Sequence, residues 1–201
     1  EALGIADNTL IVFSSDHGEH MGDHHFMQKS FFYDCSAKVP LIAAGPGVAE
    51  GKTVAQPVSQ IDLLPTFLDY CDLTMPPIRD AAGNPIYAES DFGDARSLLP
   101  ALKDPDALPD DRIILCESGV HGLHVMARRG NIKVNYYYDS QRVEWFDLDE
   151  DPDELHDRGA GLTFDDIPAD LRAALQDILT RAGRYHGRFY AFQDNVWRMF
   201  S

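Results

Sequence analysis

The sequence has few cysteines, few basic residues and no long hydrophobic run. Its three cysteines, Cys35, Cys71 and Cys116, are too few and too scattered for a disulfide framework or a thiolate zinc site, so we expect reduced, part-buried thiols. No apolar run reaches the ~18 residues that a membrane-spanning helix needs, and we expect no membrane span. Lys and Arg number 17 against 33 Asp and Glu, a net charge of −16. Nucleic-acid binding needs a basic surface that neutralises phosphates, so we expect no nucleic-acid partner.

The composition is otherwise that of a folded globular protein. The chain has 201 residues, of which 44% are hydrophobic and 25% charged, and this length suits one large domain or two small ones. The acidic balance still allows a small anionic substrate, because a metal ion or one or two cations can reverse the local field.

The first part of the chain has the pattern of an α/β sheet. Two short apolar runs, 9–14 and 39–44, predict strands, and the first is typical of a fully buried parallel strand. The apolar spacing of 59–71 predicts a helix that is capped by Ser59 or Asp62. Strand, loop, strand and helix in this order predict an α/β fold.

After a proline-rich stretch the pattern changes to short, closely spaced strands. Four runs joined by small turns predict an antiparallel meander, at 112–117, 121–128, 132–138 and 143–148. An amphipathic helix is predicted over 166–182, with one apolar face formed by Leu171, Leu175, Ile178 and Leu179. The tail, 185–201, is rich in aromatic residues that we expect to pack on the core, cap a substrate mouth or form a subunit contact.

The candidate functional residues lie directly after the first predicted strand. Ligands of open α/β sheets bind beyond the carboxyl ends of the strands. Asp16 and His17 offer a carboxylate and an imidazole there to a divalent metal, and Gly18 lets the backbone pass close to it. The same three residues could form only a turn.

The surrounding residues favour a site over a simple turn. Segment 14–29 holds four of the eight histidines, together with acidic residues and Lys29. We expect three of these histidines to be supporting, loop or surface residues rather than ligands: His20, His24 and His25.

Two other stretches invite a functional interpretation. The histidines of 117–124 could form a second site, but a structural role is the expectation for that spacing on a strand and turn. The acidic run 147–157 lacks the spacing of a calcium loop, so we expect a solvated acidic turn.

Several motifs make the chain similar to the sulfatase family of the alkaline phosphatase superfamily. They are found at 8–24, Lys29, 32–42, 45–47, 58–66, 97–100 and 145–155. The resemblance covers most of the chain and is specific for the family rather than for a substrate.

The resemblance implies roles for three residues. Asp16 and His17 match a pair of metal ligands, and Lys29 matches a lysine that contacts the sulfate or phosphate oxygens; the alternative for Lys29 is a solvated surface lysine. Calcium is the favoured metal because Asp16 supplies a hard oxygen. Manganese and zinc are the alternatives because imidazole also suits them.

The family's nucleophile motif does not occur in the printed sequence. That motif, Cys/Ser-x-Pro-x-Arg, carries the residue that is oxidised to formylglycine, and we expect it upstream of Glu1 with the other metal ligands. We therefore expect a fragment of a sulfatase, a metal-dependent hydrolase of sulfate esters. The alternatives are a phosphodiesterase or phosphonate monoester hydrolase of the same superfamily, and a non-catalytic module when the chain is isolated.

The expected fold is α/β in two parts. Residues 1–108 would be part of an alkaline-phosphatase-like mixed sheet flanked by helices, and residues 109–201 a smaller antiparallel sheet with a helix and the aromatic tail. The expected partner is a small sulfate ester, and a homo-oligomer through the C-terminal tail is a further expectation.

Overall fold

The computed structural model describes residues 3–74, 82–83, 94–119, 122–193 and 196–199, with side chains as far as residue 181. Within these residues, the first sheet pairs β1 (Ile11–Ser14) with β2 (Leu41–Ala44). The pairing is antiparallel, with Phe13 opposite Ile42, so the expectation of a parallel strand is wrong. The expectation of full burial is wrong too, because Ile11 and Phe13 are 61% and 60% exposed. A strand is buried on both faces only when a layer covers each face. Among the described residues, Leu41 packs against Leu98 and Ala101, and this contact covers one face of the first sheet.

Among the described residues of this first part, the chain forms the helices α1 (Asp34–Ala37), α2 (Leu63–Tyr70) and α3 (Leu99–Lys103). The helix predicted over 59–71 is confirmed, and both candidate caps take part in it. Ser59 and Asp62 form a reciprocal capping box around the 3-10 turn Gln60–Asp62 that leads into α2. The Asp62 carboxylate is fully buried and also accepts hydrogen bonds from the Arg96 backbone and, at 2.6 Å, from the Arg112 guanidinium.

The predicted meander is confirmed. The second sheet has the order β3 (Ile113–Ser118), β4 (His124–Arg129), β5 (Ile132–Tyr137) and β6 (Arg142–Asp147), and each neighbouring pair is antiparallel.

The helix α4 (Ala169–Phe189) packs on one face of this sheet. Its predicted apolar face is buried, with Leu171 and Leu175 fully enclosed. The helix begins three residues later than expected, because Ile167 is extended ahead of Pro168, as a residue before proline prefers. The capping box of Thr163 and Asp166 serves the preceding 3-10 turn instead.

Polar side chains cover the other face of the second sheet, where strand alternation places them together. They are His124, Lys133, Asn135 and Glu144, all buried. Segment 30–36 of the first part packs on this face, through Tyr33, which donates a hydrogen bond to Glu144, and Asp34, which pairs with Lys133 at 2.8 Å. The two parts of the chain are therefore in direct contact.

The tail forms a hairpin of β7 (Tyr190–Gln193) and β8 (Val196–Met199). The expectations for its aromatic side chains, and for most of the proline-rich stretch before residue 109, lie outside what the structure describes. Among the described helices, none has the length and apolar character to cross a membrane.

Candidate functional site

Asp16 and His17 follow β1 after one residue, Ser15, and their side chains lie close together. Oδ2 of Asp16 lies 3.3 Å from Nε2 of His17, and the Ser15 hydroxyl donates to the His17 carbonyl oxygen at 3.0 Å. The Asp16 side chain is 85% exposed and that of His17 33%. The His17 ring lowers the pKa of the Asp16 carboxyl below its usual 3.8, so the carboxylate is charged at neutral pH.

Lys29 returns to this pair from twelve residues further along the chain. Its Nζ lies 2.7 Å from Nε2 of His17. The intervening loop is closed by two backbone hydrogen bonds, from His20 N to Gln28 O at 2.8 Å and from Gly22 N to Phe26 O at 2.9 Å. The three residues singled out from the sequence therefore meet around one ring nitrogen.

The other nitrogen of His17 determines what this ring can do. Nδ1 lies 2.7 Å from the Gly18 carbonyl oxygen, which can only accept, so Nδ1 carries a hydrogen. The neutral ring then has its lone pair on Nε2, where it accepts a hydrogen bond from the Lys29 ammonium and lies 3.3 Å from the Asp16 carboxylate. An imidazole lone pair beside a carboxylate oxygen is a donor set that a divalent metal accepts, so Asp16 and His17 fit such an ion, which would take the place of the ammonium on Nε2. No group of three or more metal-binding side chains occurs among the described residues.

Gly18 is required by a close backbone contact. A Cβ at this position would lie 2.1 Å from the Cys35 carbonyl oxygen. The backbone of Gly18 donates to Ser36 O at 2.7 Å and that of Glu19 to Cys35 O at 2.9 Å. The glycine thus lets the loop lie against α1, and its expected approach to a metal stays a prediction.

Residues 1–73 match the family model described as Sulfatase. Arylsulfatase K of Homo sapiens is 30% identical over 188 residues, which cover 88% of this chain and 32% of that protein. The chain belongs to the sulfatase family. It spans about a third of the length of the curated relatives it matches. Sulfatases generally use a metal ion and a formylglycine nucleophile.

Solved structures share this fold. A 2-O GAG sulfatase superposes with a TM-score of 0.69 at 28% identity, over 90% of this chain and 38% of that one. The phosphonate monoester hydrolase of Agrobacterium radiobacter gives a TM-score of 0.60 at 22% identity, over 100% of this chain and 40% of that one. The mixed α/β fold expected from the sulfatase resemblance is confirmed.

The other histidines of segment 14–29, His20, His24 and His25, make their contacts away from Nε2 of His17. His20 is buried, with Nδ1 3.1 Å from the Cys35 sulfur, and burial lowers the pKa of its ring. His24 stacks on Tyr33 with ring centroids 3.8 Å apart, and His25 is exposed.

The acidic turn is less solvated than expected. Glu154 is 3% exposed and pairs with Lys133 at 2.7 Å, and burial raises the pKa of its carboxyl. Asp151 is 8% exposed and accepts hydrogen bonds from the backbones of Leu155 and His156. The expectation of a solvated turn is therefore wrong for these two residues, because they tie the turn to β5 and to itself.

Sequence reasoning missed the connection between Lys29 and the second sheet. His124 is buried, and its Nε2 lies 2.7 Å from the carbonyl oxygen of Ser30, the residue after Lys29. No local pattern signals this contact, because the sequence shows only a histidine within a predicted strand. His121, the other histidine of that stretch, lies outside the described residues.

Proposed function

We propose that this chain carries part of the active site of a sulfate-ester hydrolase. In this proposal Asp16 and His17 bind a divalent metal ion and Lys29 binds the oxygens of the sulfate group. The observation that carries it is the convergence on one atom: the Asp16 carboxylate at 3.3 Å and the Lys29 ammonium at 2.7 Å from Nε2 of His17. Such a grouping of anion, imidazole and cation suits a metal-assisted reaction of an anionic ester.

The charges explain what each residue contributes. Transfer of a sulfuryl group places negative charge on the leaving oxygen and on the non-bridging oxygens. The Lys29 ammonium is a compact cation with three donors, which can bond those oxygens without moving a proton. Asp16 supplies a charged hard oxygen, and the Gly18 carbonyl keeps the lone pair of His17 on Nε2. A bound metal ion would act as the Lewis acid.

Calcium is the metal we propose, with manganese and zinc as alternatives. The carboxylate favours calcium and the imidazole widens the range. The formylglycine nucleophile is proposed to come from a part of the enzyme that this chain does not contain. The proposed substrate is a small sulfate ester, in keeping with the 2-O GAG sulfatase named above.

The test uses the full reading frame in which these residues occur. Turnover of nitrophenyl sulfate is compared with that of a nitrophenyl phosphonate, for the wild type, Asp16→Asn and Lys29→Ala. Lys103→Ala is the matched control, because it removes an exposed lysine at the end of α3. Loss of sulfate turnover in the first two variants alone supports the proposal, and equal activity in all four contradicts it.

The rival of the same superfamily is a phosphonate monoester hydrolase or phosphodiesterase. Its support is the shared fold of the Agrobacterium enzyme. A preference for the phosphonate by a large factor in the same assay would replace the sulfatase proposal with this one. Self-association through the aromatic tail is a separate proposal, and sedimentation of the chain with and without residues 185–201 tests it.

A further inference from the structure

The ring of His124 is enclosed at the start of β4, on the sheet face that segment 30–36 covers. It is 1% exposed. The ring lies roughly parallel to those of Phe31 and Tyr137, at centroid distances of 5.8 and 5.4 Å and angles of 23° and 24°. Packing of this kind fixes the plane of the ring.

Both ring nitrogens of His124 point at carbonyl oxygens. Nε2 lies 2.7 Å from the Ser30 oxygen, and Nδ1 lies 3.0 Å from the Gly122 oxygen. A carbonyl oxygen can only accept, so Nε2 must carry a hydrogen to make the shorter bond. The contact is therefore a bond donated by the second sheet to the backbone next to Lys29.

The backbone on either side of Lys29 is strained. Gln28 has φ of 67° and Ser30 φ of 120°, values that non-glycine residues adopt at a cost. Such conformations persist only where the surroundings hold them. The described hydrogen bonds supply one tether on each side: His20 N donates to Gln28 O, and His124 donates to Ser30 O.

The side chain of Lys29 needs these tethers because it is exposed. A lysine carries its charge on a flexible four-carbon stem, and solvent does not restrict its rotamers. The position of the Lys29 ammonium beside His17 therefore depends on the position of the Lys29 backbone, from which the side chain extends.

We propose that His124 is a positioning residue for Lys29. Its Nε2–H holds the Ser30 carbonyl, and the second sheet thereby sets the position of the ammonium beside His17 Nε2. The consequence for catalysis rests on the role proposed above for Lys29. The structural part of the inference stands on the contacts of this chain alone.

Two substitutions of His124 separate its two carbonyl contacts. His124→Gln places an amide nitrogen near the position of Nε2 and keeps a donor for Ser30. His124→Asn places one near Nδ1, beside the Gly122 carbonyl, and leaves no donor for Ser30. Val125→Ala is the matched control, because it weakens the same strand at a fully buried residue that faces the α4 core.

Nuclear magnetic resonance on the 201-residue chain reads out the position of Lys29. We expect a nuclear Overhauser effect between the Lys29 ε-methylene and the His17 ring in the wild type, His124→Gln and Val125→Ala, and its loss in His124→Asn. Long-range ¹⁵N spectra should show a hydrogen on Nε2 of His124. Persistence of the contact in His124→Asn, or a ring with its hydrogen on Nδ1 alone, would overturn the inference. If His124→Asn does not fold, loss of the contact in folded His124→Gln would overturn it equally.

Activity of the full reading frame gives the second readout. We expect His124→Asn to lower kcat/KM for nitrophenyl sulfate by at least ~10-fold, chiefly through kcat, because a misplaced group loses its alignment with the reacting atoms. His124→Gln should recover most of the loss and Val125→Ala should show none. An inactive wild type would contradict the proposed function while the resonance data still decide the positioning. An active wild type with an equally active His124→Asn would contradict the positioning while the function stands.

Discussion

Nζ of Lys29 lies 2.7 Å from Nε2 of His17, although the two residues are twelve positions apart. The loop between them turns back on itself, so a cation reaches the ring that also faces the Asp16 carboxylate. In the function proposed above, Lys29 bonds the oxygens of the anionic ester, and Asp16 and His17 bind the metal ion.

The first prediction concerns Lys29 in the full-length enzyme. If the ammonium stabilises charge that grows in the transition state, as proposed above, Lys29→Ala should lower kcat/KM by ~10²-fold, about 2.7 kcal/mol. Lys29→Arg should restore only part of the rate, since a planar fork does not replace a compact charge. Steady-state kinetics measure both, with metal content and circular dichroism as controls. Near wild-type activity in Lys29→Ala, with activity abolished in Asp16→Ala, would make Lys29 a surface lysine.

The second prediction is that the 201-residue chain alone hydrolyses neither sulfate nor phosphate esters. The printed sequence contains no Cys/Ser-x-Pro-x-Arg motif to supply the nucleophile. Nitrophenyl sulfate and nitrophenyl phosphate assays on the purified chain test this. Turnover that disappears in Asp16→Ala would contradict it.

The third prediction is weak metal binding by the same chain. Asp16 and His17 supply two ligands, and calcium prefers six to eight oxygens, so water must fill most of the shell. Calorimetric titration with calcium, manganese and zinc should give weak binding that Asp16→Asn abolishes and Asp69→Asn, on exposed α2 surface, leaves unchanged. Tight binding that survives Asp16→Asn would refute the assignment.

The fourth prediction concerns the buried ion pair of Asp62 and Arg112. Their side chains are 0% and 3% exposed and lie 2.6 Å apart. Asp62→Ala should cost ~3–5 kcal/mol of unfolding free energy, because it leaves a buried guanidinium without its counter-charge. Urea unfolding measures this cost. Asp69→Ala is the control, since an exposed carboxylate on the adjoining helix α2 should change stability by less than ~0.5 kcal/mol.

The fifth prediction is an alkaline loss of stability through Tyr33. Burial and the Glu144 carboxylate, 2.8 Å from its hydroxyl, raise the pKa of this phenol well above its usual 10.0. The unfolded phenol releases its proton near pH 10 and the folded one keeps it, so stability is complete below pH 10 and falls above it. The decline should be ~1.4 kcal/mol per pH unit for this one group.

Tyr33→Phe removes the titrating group and should make the decline between pH 10 and 11.5 shallower by that amount. Urea unfolding across this range measures the slope. Tyr138→Phe is the control, because it removes the same hydroxyl from a ring that is 51% exposed. An unchanged slope in Tyr33→Phe would show that the phenol ionises freely in the folded chain.

Local patterns predicted the second sheet well and the first sheet poorly. Alternation of polar and apolar residues is visible within each strand, so β3 to β6 and the apolar face of α4 follow from short stretches of sequence. The apolar run of β1 indicates a strand but does not say which layers cover it, and that is why burial and pairing direction were wrong. The division of the chain near residue 108 stays a prediction.

The candidate site shows the same limit. The types of residues at 16 and 17 predicted a metal site, because a carboxylate and an imidazole follow a predicted strand, whereas the role of Lys29 was implied only by the family resemblance. Their roles stay predictions. The contact between His124 and Ser30 joins residues 94 positions apart, and no periodicity reports a pairing at that separation.

The strand order of the second sheet indicates the order in which the parts of the chain fold. Each pairing there joins strands that are consecutive in sequence, so only short loops must close. The bonds of Ser30, Tyr33 and Asp34 to this sheet instead span 94, 111 and 99 residues. We therefore expect β3 to β6 to form early and segment 18–36 to dock afterwards. Pulse-labelled hydrogen exchange should protect the amides of β4 and β5 before those of that segment, and simultaneous protection would contradict this order. On this folding route the loop that carries Lys29 reaches its native conformation last, because that conformation depends on docking to the second sheet rather than on local folding.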